Sequence, residues 1–174
     1  MRIWIAAAAA AGFALAFAWF SVPRPLTTSG TLQTQPPTPY LHTYTTGTPR
    51  GRVLVVHGLD SSKDSMQLIS AALTDGGFEV YNIDLPGHGD STAGFEASRA
   101  LEVLRAVVAE IKPGIVLGHS LGAGLLIDLS NEAQFQTMVL LSPPPIPIER
   151  IQSDRVLVIT GAFDRSEEHT SELQ

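Results

Sequence analysis

Ten residues near the middle of the chain constrain it most. Ile115-Val116-Leu117-Gly118-His119-Ser120-Leu121-Gly122-Ala123-Gly124 reads as a β-branched apolar run, a Gly-X-Ser-X-Gly turn, and an apolar continuation to Leu129. The first part has the length and composition of a buried strand, and Leu121–Leu129 can form a helix behind the turn. Glycines two residues either side of Ser120 imply a bend too tight for side chains at those positions. A serine at such an apex is forced into a strained backbone conformation, with its hydroxyl held clear of the chain. A helix that starts immediately afterwards directs its unpaired amide N–H groups to the same place, where they favour developing negative charge.

The flanking sequence repeats a strand, loop and helix pattern. Arg52–His57 is a short β-branched run ended by Gly58, as expected for a buried parallel strand. Ser62–Thr74 carries Met66, Leu68, Ile69, Ala72 and Leu73 at near-helical spacing, and Gly76-Gly77 stops it. Glu79–Asp84 reads as the next strand. Glu96–Ile111 reads as a helix with Ala100, Leu101, Leu104, Val107, Val108 and Ile111 on one stripe. Thr137–Leu141 and Arg155–Thr160 are two further strands, and Tyr40–Thr46 alternates weakly as an early edge strand. Strands apolar on both faces, alternating with amphipathic helices, predict a mostly parallel sheet covered on both sides. Periodicity alone leaves other doubly wound folds open, including flavodoxin-like and nucleotide-binding ones.

The motifs narrow the choice. Val53-Leu54-Val55-Val56-His57-Gly58-Leu59, Asp84-Leu85-Pro86-Gly87-His88-Gly89-Asp90-Ser91, Gly118-His119-Ser120-Leu121-Gly122 and Val156-Leu157-Val158-Ile159-Thr160-Gly161-Ala162-Phe163-Asp164 occur in this order. On these segments the chain resembles the α/β-hydrolase superfamily from about Arg52 to Asp164. The resemblance implies a three-layer α/β/α hydrolase fold, mostly parallel, incomplete at its C-terminus. It also implies Ser120 as nucleophile, the backbone N–H groups of Leu59 and Leu121 as an oxyanion hole, and Asp164 as the triad acid. Asp128, on the helix after the turn, is an alternative acid. The implied reaction is cleavage of a carboxylic ester, thioester or amide through an acyl-enzyme, with no metal or organic cofactor. Serine rather than aspartate at residue 120 argues against dehalogenase or epoxide-hydrolase chemistry. A serine peptidase and a non-catalytic binding protein on the same fold are the alternatives.

A catalytic histidine is missing from the expected place. In the family it follows the acid. His57, His88 and His119 precede Asp164. His57 is expected to order local backbone by hydrogen bonding, His88 to shape the rim of the site, and His119 to pack against a neighbouring loop. His169 follows Asp164 too closely for a further strand and loop to return it over Ser120. The tail Arg165–Gln174 has no apolar period and resembles the in-frame translation of a common sequencing adapter. Residues 165–174 are therefore expected to be non-native, and the natural chain to continue past Asp164 with a helix, a strand and the histidine loop. Without its base the 174-residue chain is expected to be nearly inactive and prone to aggregate.

The N-terminal residues Ile3–Val22 are apolar and uncharged, following Met1 and Arg2. Such a run spans roughly 30 Å as a helix, one hydrocarbon core. Residues 1–22 are read as a retained membrane anchor or a cleaved signal peptide, either of which places the rest on the extracytoplasmic side, anchored or secreted. Residues 23–39, rich in Pro and Thr, are expected to be a spacer, with an irregular arm packed on the domain as the alternative. Residues 40–164 form the partial catalytic domain. A net charge of -6 without a basic run speaks against nucleic acid as a partner. The absence of cysteine removes disulfides and thiolate chemistry. Expected partners are a small acyl ester or lipid-like substrate, and the membrane through residues 3–22. The short, Pro-rich Ser142–Asp154 stretch leaves little room for a lid there.

Overall fold

A computed structural model describes residues 24–145 and 147–161. Among these residues seven strands form one sheet: β1 (Leu26–Leu32), β2 (Thr38–Tyr44), β3 (Arg52–Val56), β4 (Glu79–Ile83), β5 (Ile115–His119), β6 (Thr137–Leu141) and β7 (Val156–Ile159). Their spatial order is β1-β2-β4-β3-β5-β6-β7. β1, β2 and β4 pair antiparallel, and β4, β3, β5, β6 and β7 run parallel. Three helices connect them: α1 (Gln67–Asp75), preceded by a 3-10 turn at Lys63–Met66, α2 (Ala97–Ile111) and α3 (Leu121–Leu129). The expected α/β hydrolase architecture is present, with a mostly parallel sheet between helical layers.

Alternation along the strands sorts the core onto two faces. Val53, Val55, Val80 and Leu117 pack with Met66 beneath α1. Leu54, Val56, Ile83, Val116, Met138 and Leu140 pack against α2 and α3. β3 is buried from Val53 to Val56, as its unbroken apolar run predicts. In α2 the buried stripe is Ala100, Val103, Leu104, Val107 and Ile111. Leu101 and Val108 flank it, only partly buried. The helix ends at Lys112, which takes φ 53° as a left-handed cap.

Two expectations change. The stretch read as a spacer contains β1, which pairs along its length with β2. Thr27, Thr28 and Thr31 favour extended backbone, and the prolines bracket this strand instead of interrupting it. In the turn between β1 and β2, the buried Thr34 hydroxyl donates to Pro36 O at 2.6 Å and lies 2.6 Å from the Thr38 hydroxyl. In α1 the expected apolar stripe holds in part: Met66, Ile69 and Leu73 pack on the core, but Leu68 and Ala72 face outwards. Leu68 is 88% exposed, while Ser70 and Thr74 are buried. Their hydroxyls are satisfied, Ser70 donating to Asn82 Oδ1 at 2.6 Å and Thr74 to Thr43 O at 3.4 Å.

At the other end of the sheet, the four apolar side chains of β7 remain 42–52% exposed. Among the described residues this strand is therefore only about half covered.

Candidate active site

The site is built at the C-terminal end of β5. Ser120 follows its last residue with φ 47° and ψ −112°, a region that non-glycine residues rarely occupy. Ser120 N–H donates to Leu141 O at 2.9 Å, and Gly124 N–H donates to Ser120 O at 3.1 Å. These bonds tie the bend to β6 and to the first turn of α3. Two glycines make the bend possible by close approach. A Cβ on Gly118 would lie 2.6 Å from Ala123 N, and one on Gly122 would lie 2.5 Å from both Val56 O and His57 O. The first lets α3 fold back on β5, and the second lets α3 begin against the end of β3. Leu121, as the first residue of α3, has no intrahelical acceptor for its N–H.

The loop after β3 passes directly beside the serine. A Cβ on Gly58 would fall 3.3 Å from Ser120 Cβ and 2.7 Å from His119 Nδ1. Leu59 comes next, with its side chain 58% exposed, and Asp60 turns the chain with φ 54°. The loop therefore passes the elbow at Gly58, and the Leu59 side chain that follows stays on the surface.

His57 sits under this loop, fully buried. Its Nε2 accepts from Leu85 N–H at 3.1 Å, so Nδ1 carries the proton and donates to Gly58 O at 2.7 Å. Burial pushes its pKa below the ordinary histidine value, opposed by the bond to Gly58 O. Both ring nitrogens are used on backbone, which is the ordering role expected of it and leaves none for the Ser120 proton. His88 is more enclosed than a rim residue. It donates from Nδ1 to Pro86 O at 3.0 Å, lies 5.1 Å from the His57 ring and meets Phe95 edge-on at 5.4 Å. His119 is exposed and packs beside Gly58.

Asp128 is drawn to the surface of α3, where it pairs with Arg150 at 2.8 Å. Eight residues of helix also separate it from Ser120, about 12 Å, so the alternative acid is badly placed. Asp164 and His169 lie outside the described residues, as does the expected anchor at 3–22. No helix among the described residues is long and apolar enough to cross a membrane.

One cluster beside the site escaped the sequence reading. Lys63, its side chain only 5% exposed, donates from Nζ to Asp84 Oδ2 at 2.8 Å and to Asp90 Oδ2 at 2.6 Å. Asp84, completely buried, also accepts from Lys63 N–H at 2.7 Å and Asp90 N–H at 2.9 Å. Burial works against the lysine charge, but the bonds to Asp84 and Asp90 prevail and hold its pKa above the ordinary value. Gly89 fits here with φ 54°, since a Cβ there would meet the Asp84 carboxylate at 2.2 Å. The signal available was the Asp-Leu-Pro-Gly-His-Gly segment itself, whose aspartate ends a buried strand and needs a counter-charge.

Among the described residues no three His, Asp or Glu side chains converge as metal ligands would. A cavity of about 580 Å³ lined by Arg50, Arg52, Lys112 and Gln136 lies where β3 and β5 begin, at the opposite end of the sheet from Ser120.

The sequence profile described as the alpha/beta hydrolase family matches residues 53–170. No curated protein is significantly similar in sequence. Epoxide hydrolase A from Mycobacterium thermoresistibile superposes with a TM-score of 0.60 at 22% identity, over 70% of this chain and 41% of that one. A membrane phospholipase A described as a bacterial virulence factor gives 0.60 at 22%, over 70% and 41%. The thioesterase domain from the curacin biosynthetic pathway gives 0.60 at 22%, over 70% and 48%. The chain thus spans less than half the length of these structures.

Proposed function

The chain belongs to the alpha/beta hydrolase family, and from that premise we propose that it supplies the nucleophile half of a serine hydrolase acting on carboxylic esters, thioesters or amides. Ser120 Oγ attacks the acyl carbonyl, and the backbone N–H groups of Leu59 and Leu121 receive the oxyanion. Asp164 orients a histidine from a continuation of the chain beyond residue 164. That histidine takes the serine proton, passes it to the leaving group, and then activates the water that releases the acid. The observation that carries this reading is the backbone of Ser120. Its positive φ is held by two glycine contacts and two backbone bonds, a costly arrangement that presents the hydroxyl beside the Gly58–Leu59 loop.

Labelling by a fluorophosphonate probe tests it, because the probe reports an activated serine. The full-length protein should label and its Ser120→Ala variant should not. Absence of labelling in the full-length protein would overturn the assignment in favour of a binding role.

For location, we propose a domain held on the extracytoplasmic side by residues 3–22. Leu26 opens β1 opposite Tyr44, at the end of the sheet where β3 and β5 begin. A tether entering there points the Ser120 end away from the bilayer, towards small acyl esters that arrive from solution. Loss of the domain from spheroplasts on external protease treatment supports this placement, and protection contradicts it.

A further inference from the structure

We propose that Lys63 is a positioning residue, holding the Gly58–Ser62 loop against Ser120 through its ion pair with Asp84. The inference rests on the hydrolase reading above, in which Leu59 of that loop donates to the oxyanion.

Apart from the bonds of Ser61 Oγ and Ser62 O to Ser65, the Gly58–Asp60 part of the loop has little to hold it from within. Leu59 points outwards, 58% exposed, and Asp60 occupies positive φ. Order must come from the two ends, and both ends are fastened to the same short segment. At the upstream end, His57 bonds Gly58 O and Leu85 N–H with its two ring nitrogens. At the downstream end, Lys63 bonds Asp84 with both its backbone N–H and its ammonium, while Asn82 Nδ2 donates to Lys63 O at 3.1 Å. Asn82, Asp84 and Leu85 lie at the end of β4 and just beyond it, so the rigid sheet fixes both ends of the loop. An oxyanion donor contributes only when it sits about 3 Å from the developing charge, so a loop released at one end loses catalysis before it loses substrate binding.

A pair that only adds stability would lower the melting point and leave the folded protein's kinetics alone. The clamp predicts more. At a temperature where the full-length protein and its variants are folded, Lys63→Met should lower kcat for p-nitrophenyl butyrate by about 10- to 100-fold, with KM changed by no more than about twofold. Amide exchange at residues 58–62 should rise by about tenfold or more while β3 and α2 stay protected. Lys63→Arg, which keeps the charge, should recover most of both. Should Lys63→Met not fold, Lys63→Met/Asp84→Asn removes both charges together and carries the same expectations. Unchanged loop exchange and kcat in the folded variant, or a rise in KM alone, would overturn the clamp. Turnover that survives Ser120→Ala would instead defeat Ser120 as the nucleophile, and the exchange measurement would still decide the clamp.

Discussion

The strain at Ser120 can be measured by comparing two replacements of the same side chain. Both replacements remove the Ser120 hydroxyl, which makes no capping bond to α3, so any bond it makes is lost equally and cancels in the comparison. Ser120→Ala keeps a Cβ at φ 47° and ψ −112°; Ser120→Gly does not. A sparsely populated backbone conformation costs about 1–3 kcal/mol for a residue with a side chain. Glycine gives back about 0.4–1 kcal/mol through the greater freedom of its unfolded chain. The glycine variant should therefore be more stable than the alanine variant by up to about 2.6 kcal/mol. At an ordinary position the sign is opposite, with glycine weaker by about 0.5–1 kcal/mol. Urea unfolding of the two full-length variants, followed by fluorescence of the domain tyrosines Tyr40, Tyr44 and Tyr81 and by far-UV CD, gives the difference from the midpoints if the slopes agree. Coincidence of the two probes checks two-state behaviour. An alanine variant equal to or more stable than the glycine variant would refute the strained elbow.

The Cβ added by Gly122→Ala meets two backbone carbonyls at 2.5 Å and cannot be relieved by a side-chain turn; melting should show a loss near the upper end of overpacking costs, about 3 kcal/mol. His57, whose pKa burial lowers, adds stability that is full above the unfolded histidine value of about 6.5 and is lost as pH falls through its lower folded value. Urea midpoints between about pH 7.5 and 5 should fall on acidification, and His57→Asn should flatten that slope. The apolar side chains of β7, near half exposed, each leave about 1 kcal/mol of burial unrealised. The 174-residue chain should associate through this strand, and Val158→Lys should raise the monomer fraction on size-exclusion chromatography.

The parallel half of the sheet was legible because its strands are buried on both faces, which writes unbroken β-branched runs such as Val53–Val56 into the sequence. The antiparallel edge was not. β1 has Leu26 46% exposed at one end and Leu32 buried at the other, with threonine and serine between. An exposed strand needs no apolar alternation, and five nearby prolines made Leu26–Leu32 look unstructured. The α1 face misled for a related reason. It meets the sheet partly through Ser70, which bonds the buried Asn82, so a polar residue takes a place that periodicity assigns to leucine. In the site, Ser120 and its glycines were readable because their spacing is local and each follows from one steric demand.

The Lys63–Asp84 pair shows what local pattern cannot carry. Lys63 stands just after two serines, at the start of a helical segment, where a lysine normally extends into solvent. Its burial is decided by Asp84, 21 residues later, which ends β4 beneath it. Neither residue alone carries the information. An aspartate at the end of a buried strand, left with only two backbone N–H donors, would be an uncompensated charge, and breaking such a pair costs about 3–5 kcal/mol. The lysine removes that cost only if the chain between β3 and α1 comes close to β4. Folding the charge inwards and holding the Gly58–Ser62 loop over the end of the sheet are therefore one event, so the stability of the pair and the geometry beside Ser120 are linked.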